Sequence, residues 1–237
     1  MRVFAMICTL APMLFAQSQP DATSILRKVS DTYANAKQYR FAVKKTGEER
    51  GVMEIAVQKP GRFRFEANGR VIDSADAFSK VTMVSDGASA WNYSAELGEY
   101  TQKATTLPLL DTEPPDITPE TFVLQADALF LTHFSEFAKA ADRARLVRQE
   151  ALPIPNGSVD CYVIEFHAPL PGFRDDYTWW VDRRRYLVLR EDTRPATSRR
   201  PPSSTTYTFA SIDEPLPAEL FRFSPPAGAK RVARLEQ

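Results

Sequence analysis

The feature that most restricts how this chain can fold is a strict two-residue alternation of apolar and polar side chains, repeated in segment after segment. Tyr39, Phe41 and Val43 alternate with Arg40, Ala42 and Lys44. Met53, Ile55 and Val57 alternate with Glu54, Ala56 and Gln58, and Phe63 and Phe65 with Arg62, Arg64 and Glu66. Successive side chains of a strand point to opposite faces, so this pattern specifies antiparallel strands with one buried and one wet face. Further strand patterns run through Leu146-Val147, Cys161 to Phe166, Tyr177 to Val181, Tyr186 to Leu189 and Thr205 to Phe209. A last one, Leu220 to Phe223, is ended by Pro225-Pro226. Asn68-Gly69, Asp86-Gly87, Leu97-Gly98 and Asn156-Gly157 mark tight turns, where positive φ is needed. The patterns predict about eleven strands. A meander of that length hides its edges by curling or closing.

Two segments break the alternation with helical spacing. Asp21 is a capping residue, and Ile25, Leu26, Val29, Tyr33 and Ala36 then form one apolar stripe. Arg27, Lys28, Asp31 and Lys37 occupy the other side, so this helix must lie on something. After a proline-rich connection from Leu107 to Pro119, Thr118 caps a second helix and Pro119 takes its first position. Phe122, Ala126, Leu129, Phe130, His133, Phe134 and Phe137 make its stripe, with Leu124 and Leu131 beside it. Apolar surface on more than one side of that helix predicts contacts on more than one side. The fold class is therefore α+β: a curved antiparallel sheet with helices over its mouth.

The first residues predict export. Arg2 precedes an apolar run from Val3 to Phe15, and Ala16 leads into polar Gln17-Ser18-Gln19-Pro20. That is the form of a secretory signal peptide, residues 1–16, followed by a single domain over 17–237. The run falls short of the roughly 20 apolar residues of a membrane span. A soluble periplasmic protein is expected. Cys8 lies inside the apolar run behind Ile7, which is not the small residue that precedes a lipidated cysteine. Cys161 is then alone and cannot form an internal disulfide; its strand context reads as a small buried hydrophobe.

Thirty basic and thirty acidic residues balance, and losing Arg2 leaves 29 against 30. Nucleic-acid binding needs a concentrated positive field, so no nucleic-acid partner is expected. The short basic runs Arg183-Arg184-Arg185, Arg199-Arg200 and Lys230-Arg231 read as solvated turns, or as contacts to a partner or phosphate. Glu165 and His167 share one strand face and are the sole acid–base candidate; the chain has two histidines and no zinc-spaced cluster. There is no nucleophile elbow, phosphate loop or dinucleotide fingerprint. No enzyme activity, metal or cofactor is expected.

Three segments carry a family resemblance. The run from Gly51 to Phe65, with Lys59-Pro60-Gly61-Arg62-Phe63 at its centre, resembles the LolA-family strand that meets a basic-Pro pair and then an aromatic strand. Val84-Ser85-Asp86-Gly87 with Trp91-Asn92-Tyr93 resembles the next hairpin, and Phe221-Arg222-Phe223-Ser224-Pro225-Pro226-Ala227-Gly228 the C-terminal signature. Order, leader, first helix and central helical insert all match.

The resemblance implies a half-open β-barrel whose concave apolar face is lidded by helices. It implies a monomeric periplasmic carrier of lipids or lipoprotein acyl chains, working between an inner-membrane donor and an outer-membrane acceptor, or a lipid- or peptide-binding envelope sensor of the same fold. Phe63, Phe65, Trp91, Tyr93 and Trp179 are then expected on the concave face, and Phe122, Leu129 and Phe130 on the lid. In LolA-type carriers the residue before the motif proline is usually an arginine that latches the lid. Here it is Lys59, which keeps the charge without the planar fork of donors. Apolar periodicity alone marks a buried face and leaves a cavity and a dry core equally open.

Overall fold

The computed structural model describes residues 20–46, 51–69, 80–104, 133–169, 175–195 and 202–235. Helix α1 spans Ala22–Asn35, and the Asp21 carboxylate accepts the Ser24 amide at 2.9 Å. That bond satisfies one of the amides a first helical turn leaves open. Ile25, Leu26, Val29 and Tyr33 are buried, as their spacing predicts.

Strands β1 (Gln38–Thr46), β2 (Gly51–Gln58), β3 (Arg62–Gly69), β4 (Lys80–Asp86), β5 (Ser89–Ser94) and β6 (Glu99–Ala104) follow. After the short helix α2 (His133–Ala140) come β7 (Asp142–Ile154), β8 (Gly157–His167), β9 (Asp176–Asp182), β10 (Val188–Arg194) and β11 (Ser203–Ile212). A 3-10 turn, Ala218–Phe221, precedes the two-residue β12 (Lys230–Arg231). All twelve strands form one sheet in the order β12-β6-β5-β4-β3-β2-β1-β11-β10-β9-β8-β7. Pairing is antiparallel except between β12 and β6. The sheet is curved and unclosed, an open half-barrel of the α+β class.

Register decides which face each side chain takes. One row across the sheet reads Phe209, Phe41, Ile55, Phe65, Met83, Asn92, Thr101. This is the inner face, which carries the core and both helices. The adjacent row, Arg40, Ala56, Arg64, Val84, Trp91, Gln102, faces outward. Ion pairs keep that outer face wet: Arg40 with Glu54 at 3.2 Å, Arg148 with Glu150 at 2.7 Å and Arg190 with Asp192 at 2.7 Å. Such exposed pairs stabilise little individually.

Both sheet edges are managed. Edge strand β7 carries two register shifts, several arginines and Pro153, all of which discourage further pairing. At the other edge, Lys230 donates its amide to the Gly98 carbonyl and Val232 donates to Tyr100, both at 2.9 Å.

The described strands number twelve, in keeping with the about eleven that the pattern predicts. Two expectations need correction. Asn68-Gly69 does not turn: Asn68 pairs with Lys80 and Gly69 with Gly51, so the pair extends β3. Leu220 to Phe223 is not a strand. Leu220 and Phe221 end the 3-10 turn, which buries Phe221 against the barrel and brings Phe223 onto the outer face.

Candidate functional site

The inner face between β1 and β8 to β11 is an aromatic bed with α2 pressed into it. Phe134 of α2 stacks on Tyr33 of α1 at 4.5 Å between ring centroids. It meets Trp179 edge-on at 5.6 Å and Tyr207 at 5.0 Å. One turn later Phe137 meets Tyr177 edge-on at 5.0 Å. Phe166 completes the bed, stacked on Tyr177 and edge-on to Trp179 at 4.7 Å. Edge-to-face pairs of this kind add to the area they bury. These rings hold the described part of α2, His133–Ala140, against the sheet.

A carboxylate lies in the bed. Glu191 is buried, and the Trp179 indole N–H donates to it at 2.7 Å. Burial pushes the Tyr207 hydroxyl well above its ordinary pKa, and the Glu191 charge pushes it further. Burial also raises the Tyr33 hydroxyl, which accepts the Val188 amide at 3.0 Å and so ties α1 to β10. Towards β4 to β6 the inner face turns polar: Ser85, Asn92, Ser94 and Thr101 are all buried, and the Asn92 side-chain oxygen has no hydrogen-bond partner among the described residues.

Phe63, Phe65 and Trp179 lie on the inner face and are 6%, 2% and 0% exposed. Trp91 and Tyr93 do not join them. They face outward, where Phe223 covers them with ring centroids 6.1 and 6.2 Å away. Phe122, Leu129 and Phe130 lie outside the described residues. Lys59 is exposed at the β2–β3 turn, and its amide donates to the Lys37 carbonyl at 2.9 Å. Among the described residues its ammonium has no ionic partner. The motif around it is tied to the next hairpin: Ser85 donates its hydroxyl to the Gly61 carbonyl at 2.8 Å, and Gly61 and Gly87 both need positive φ.

Glu165 and His167 take different partners. Glu165 pairs with Arg145, and His167 Nδ1 lies 3.3 Å from Asp176. Arg183 lies over the Tyr162 ring, while Asp182 holds Arg185 at 2.7 Å and caps the turn amides of Arg184 and Arg185. Burial raises the Asp182 carboxyl, but these bonds outweigh it and hold the group below its ordinary value.

Tyr33, Tyr177, Tyr207 and Glu191 belong to the site and were not selected from the sequence. For Tyr207 the signal was the alternation Thr205, Tyr207, Phe209. Glu191 gave none, because Arg190-Glu191-Asp192 reads as an exposed charge run.

Residues 22–235 match the family described as predicted periplasmic protein, DUF2092. The chain belongs to that family. DUF2092 membership places it in the periplasm, and no helix among its described residues is long and apolar enough to cross a membrane. No curated protein matches the sequence. Among solved structures, the lipoprotein LppX of Mycobacterium tuberculosis is 11% identical with a TM-score of 0.52, covering 83% of this chain and 97% of its own. LprF of Mycobacterium bovis is 11% identical with a TM-score of 0.52, covering 88% and 97%. A LolA superfamily protein of Nitrosomonas europaea is 12% identical with a TM-score of 0.31, covering 86% and 98%. At these identities the likeness is one of fold. The open half-barrel expected from the sequence is the fold of this DUF2092 chain.

Proposed function

We propose that this protein is a non-enzymatic periplasmic carrier that takes acyl chains on the inner face of the half-barrel, in the bed that α2 now fills. The observation that supports this is the Phe134–Phe137 insertion: two phenylalanines of one helix plugging an aromatic surface of the sheet. A carrier has to release its cargo, and burying ten methylenes gains about 8 kcal/mol. Expelling two phenylalanines into water costs about 2 kcal/mol each. The plug therefore offsets roughly half of the gain and keeps exchange reversible. Phe63 and Phe65 would extend the same surface toward β3. The leader at 1–16 would be removed on export, leaving 17–237 as the working domain.

The test is native mass spectrometry of the protein recovered from a bacterial periplasm. Acyl-bearing molecules should copurify, and Phe63→Glu should lose them while keeping the wild-type circular dichroism spectrum. An empty protein that gains neither mass nor thermal stability from added lipid would sink the carrier reading.

A further inference from the structure

The strand ends beyond the aromatic bed hold a polar hollow of about 720 Å³. Its walls come from both sides of the rim. Phe166, Tyr177, Thr193 and Ser203 occupy inner-face positions, and Glu165, Thr178, Asp192 and Ser204 outer ones. Phe166 and Tyr177 therefore belong both to the hollow and to the bed under α2.

The acids of the hollow already have partners. Glu165 holds Arg145, Asp176 faces His167, and Asp192 takes Arg190 and the Ser204 hydroxyl. The cations are less fully used. Arg194 makes no ion pair among the described residues, and Arg143 has only its neighbour Asp142, at 3.3 Å. The placement of Arg143 is built into the backbone. Asp142 pairs with His167 but Arg145 pairs with Glu165, so one extra residue is inserted in β7. In a regular ladder Ala144 would face Glu165. The bulge brings Arg145 there instead, and Arg143 within it adopts φ 48°, a left-handed conformation that costs a non-glycine residue energy. Strain of that kind tends to persist where it positions functional side chains.

We propose that this hollow is a headgroup subsite, and that the cargo is an amphipath with a phosphate ester in its head. The acyl chain would lie in the aromatic bed, and the head would fold over the rim at Phe166 and Tyr177. Arg143 and Arg194 would take the phosphate, while Thr46, Thr178, Ser203 and Ser204 offer hydroxyls to the rest of the head. Arginine suits phosphate because its planar fork can donate two hydrogen bonds at once. The volume is within the range of ordinary ligand pockets, roughly 300–1,000 Å³. This inference rests on the carrier reading above.

The test compares two probes with the same short acyl chains, a phosphatidylglycerol and a diacylglycerol, by calorimetric titration into the full mature protein. The phosphatidylglycerol should bind at least about tenfold more tightly. That advantage should vanish in Arg143→Gln/Arg194→Gln and shrink in Arg194→Gln alone, with diacylglycerol affinity unchanged in both. Equal affinities for the two probes in the wild type would overturn the headgroup subsite and leave acyl carriage standing. A preference that survives the double substitution would overturn the assignment of these arginines. If neither probe binds, the subsite and the carrier reading fall together.

Discussion

Glu191 is costly to bury on the inner face, since a buried carboxylate needs donors to replace water. The Trp179 indole supplies one, at the centre of the bed. Cys161, two strands away on β8, is the opposite case. It is wholly buried, its thiol donates weakly to the Val159 carbonyl at 3.4 Å, and burial pushes its pKa up to about 12, outweighing a hydrogen bond from the Leu152 backbone. A thiol becomes a nucleophile only as thiolate. Without residues 1–16, and so without Cys8, the folded protein should therefore show no reaction with an aromatic disulfide reagent at pH 8, and one equivalent after denaturation. Prompt labelling of the native protein would show that the β8 environment is open to solvent. The sequence supported this reading of Cys161 because a single thiol in an apolar strand pattern has few roles. It could not single out Glu191, whose neighbours Arg190 and Asp192 pair on the outer face and disguise the buried carboxylate between them.

At the scale of elements, the decisive contact is α2 against the sheet. Phe134 touches Tyr33, Trp179 and Tyr207, so Phe134→Ala removes the anchor common to α1, β9 and β11. The empty protein should lose about 3–5 kcal/mol in urea unfolding. If α2 is a plug, the same substitution should also strengthen binding of a medium-chain fatty acid, since less packing has to be broken. A loss of stability with unchanged or weaker binding would mark α2 as plain core. Individual strands and helix α1 were legible because alternation and stripe each specify a buried side. Which face that side becomes was not. Trp91-Asn92-Tyr93 reads as aromatic inward and polar outward, and the reverse is true: buried Asn92 faces in, while Phe223 covers the two aromatics outside. Alternation fixes relative faces within a strand, and a sheet covered on both sides removes the clue to which is which.

For the whole molecule, the problem is that a half-barrel has two open edges where a closed barrel has none. β7 answers with bulges, arginines and Pro153, and all of these are visible in its sequence even though the register they produce is not. The β6 edge is answered differently, by the chain's own C-terminal segment. Phe223 first anchors that segment on Trp91, Tyr93 and Tyr100, and Gly228 then turns it at φ 84°. Lys230 and Arg231 finally pair in parallel with Glu99 and Tyr100. No alternation announces a two-residue strand, so this cover was invisible to pattern reading. Its role predicts a specific failure. Truncation after Gly228 keeps the aromatic anchor but removes the bonds to Gly98 and Tyr100, freeing backbone groups on β6. The truncated protein should stay folded by circular dichroism yet associate as its concentration rises, measured by sedimentation velocity. Substituting Tyr100→Pro in the truncated chain should reverse that association, because proline in an edge strand hinders pairing with another chain. A truncated protein that stays monomeric at every concentration would mean that β12 contributes nothing to guarding the edge, and that the aromatic outer face beside it is sufficient.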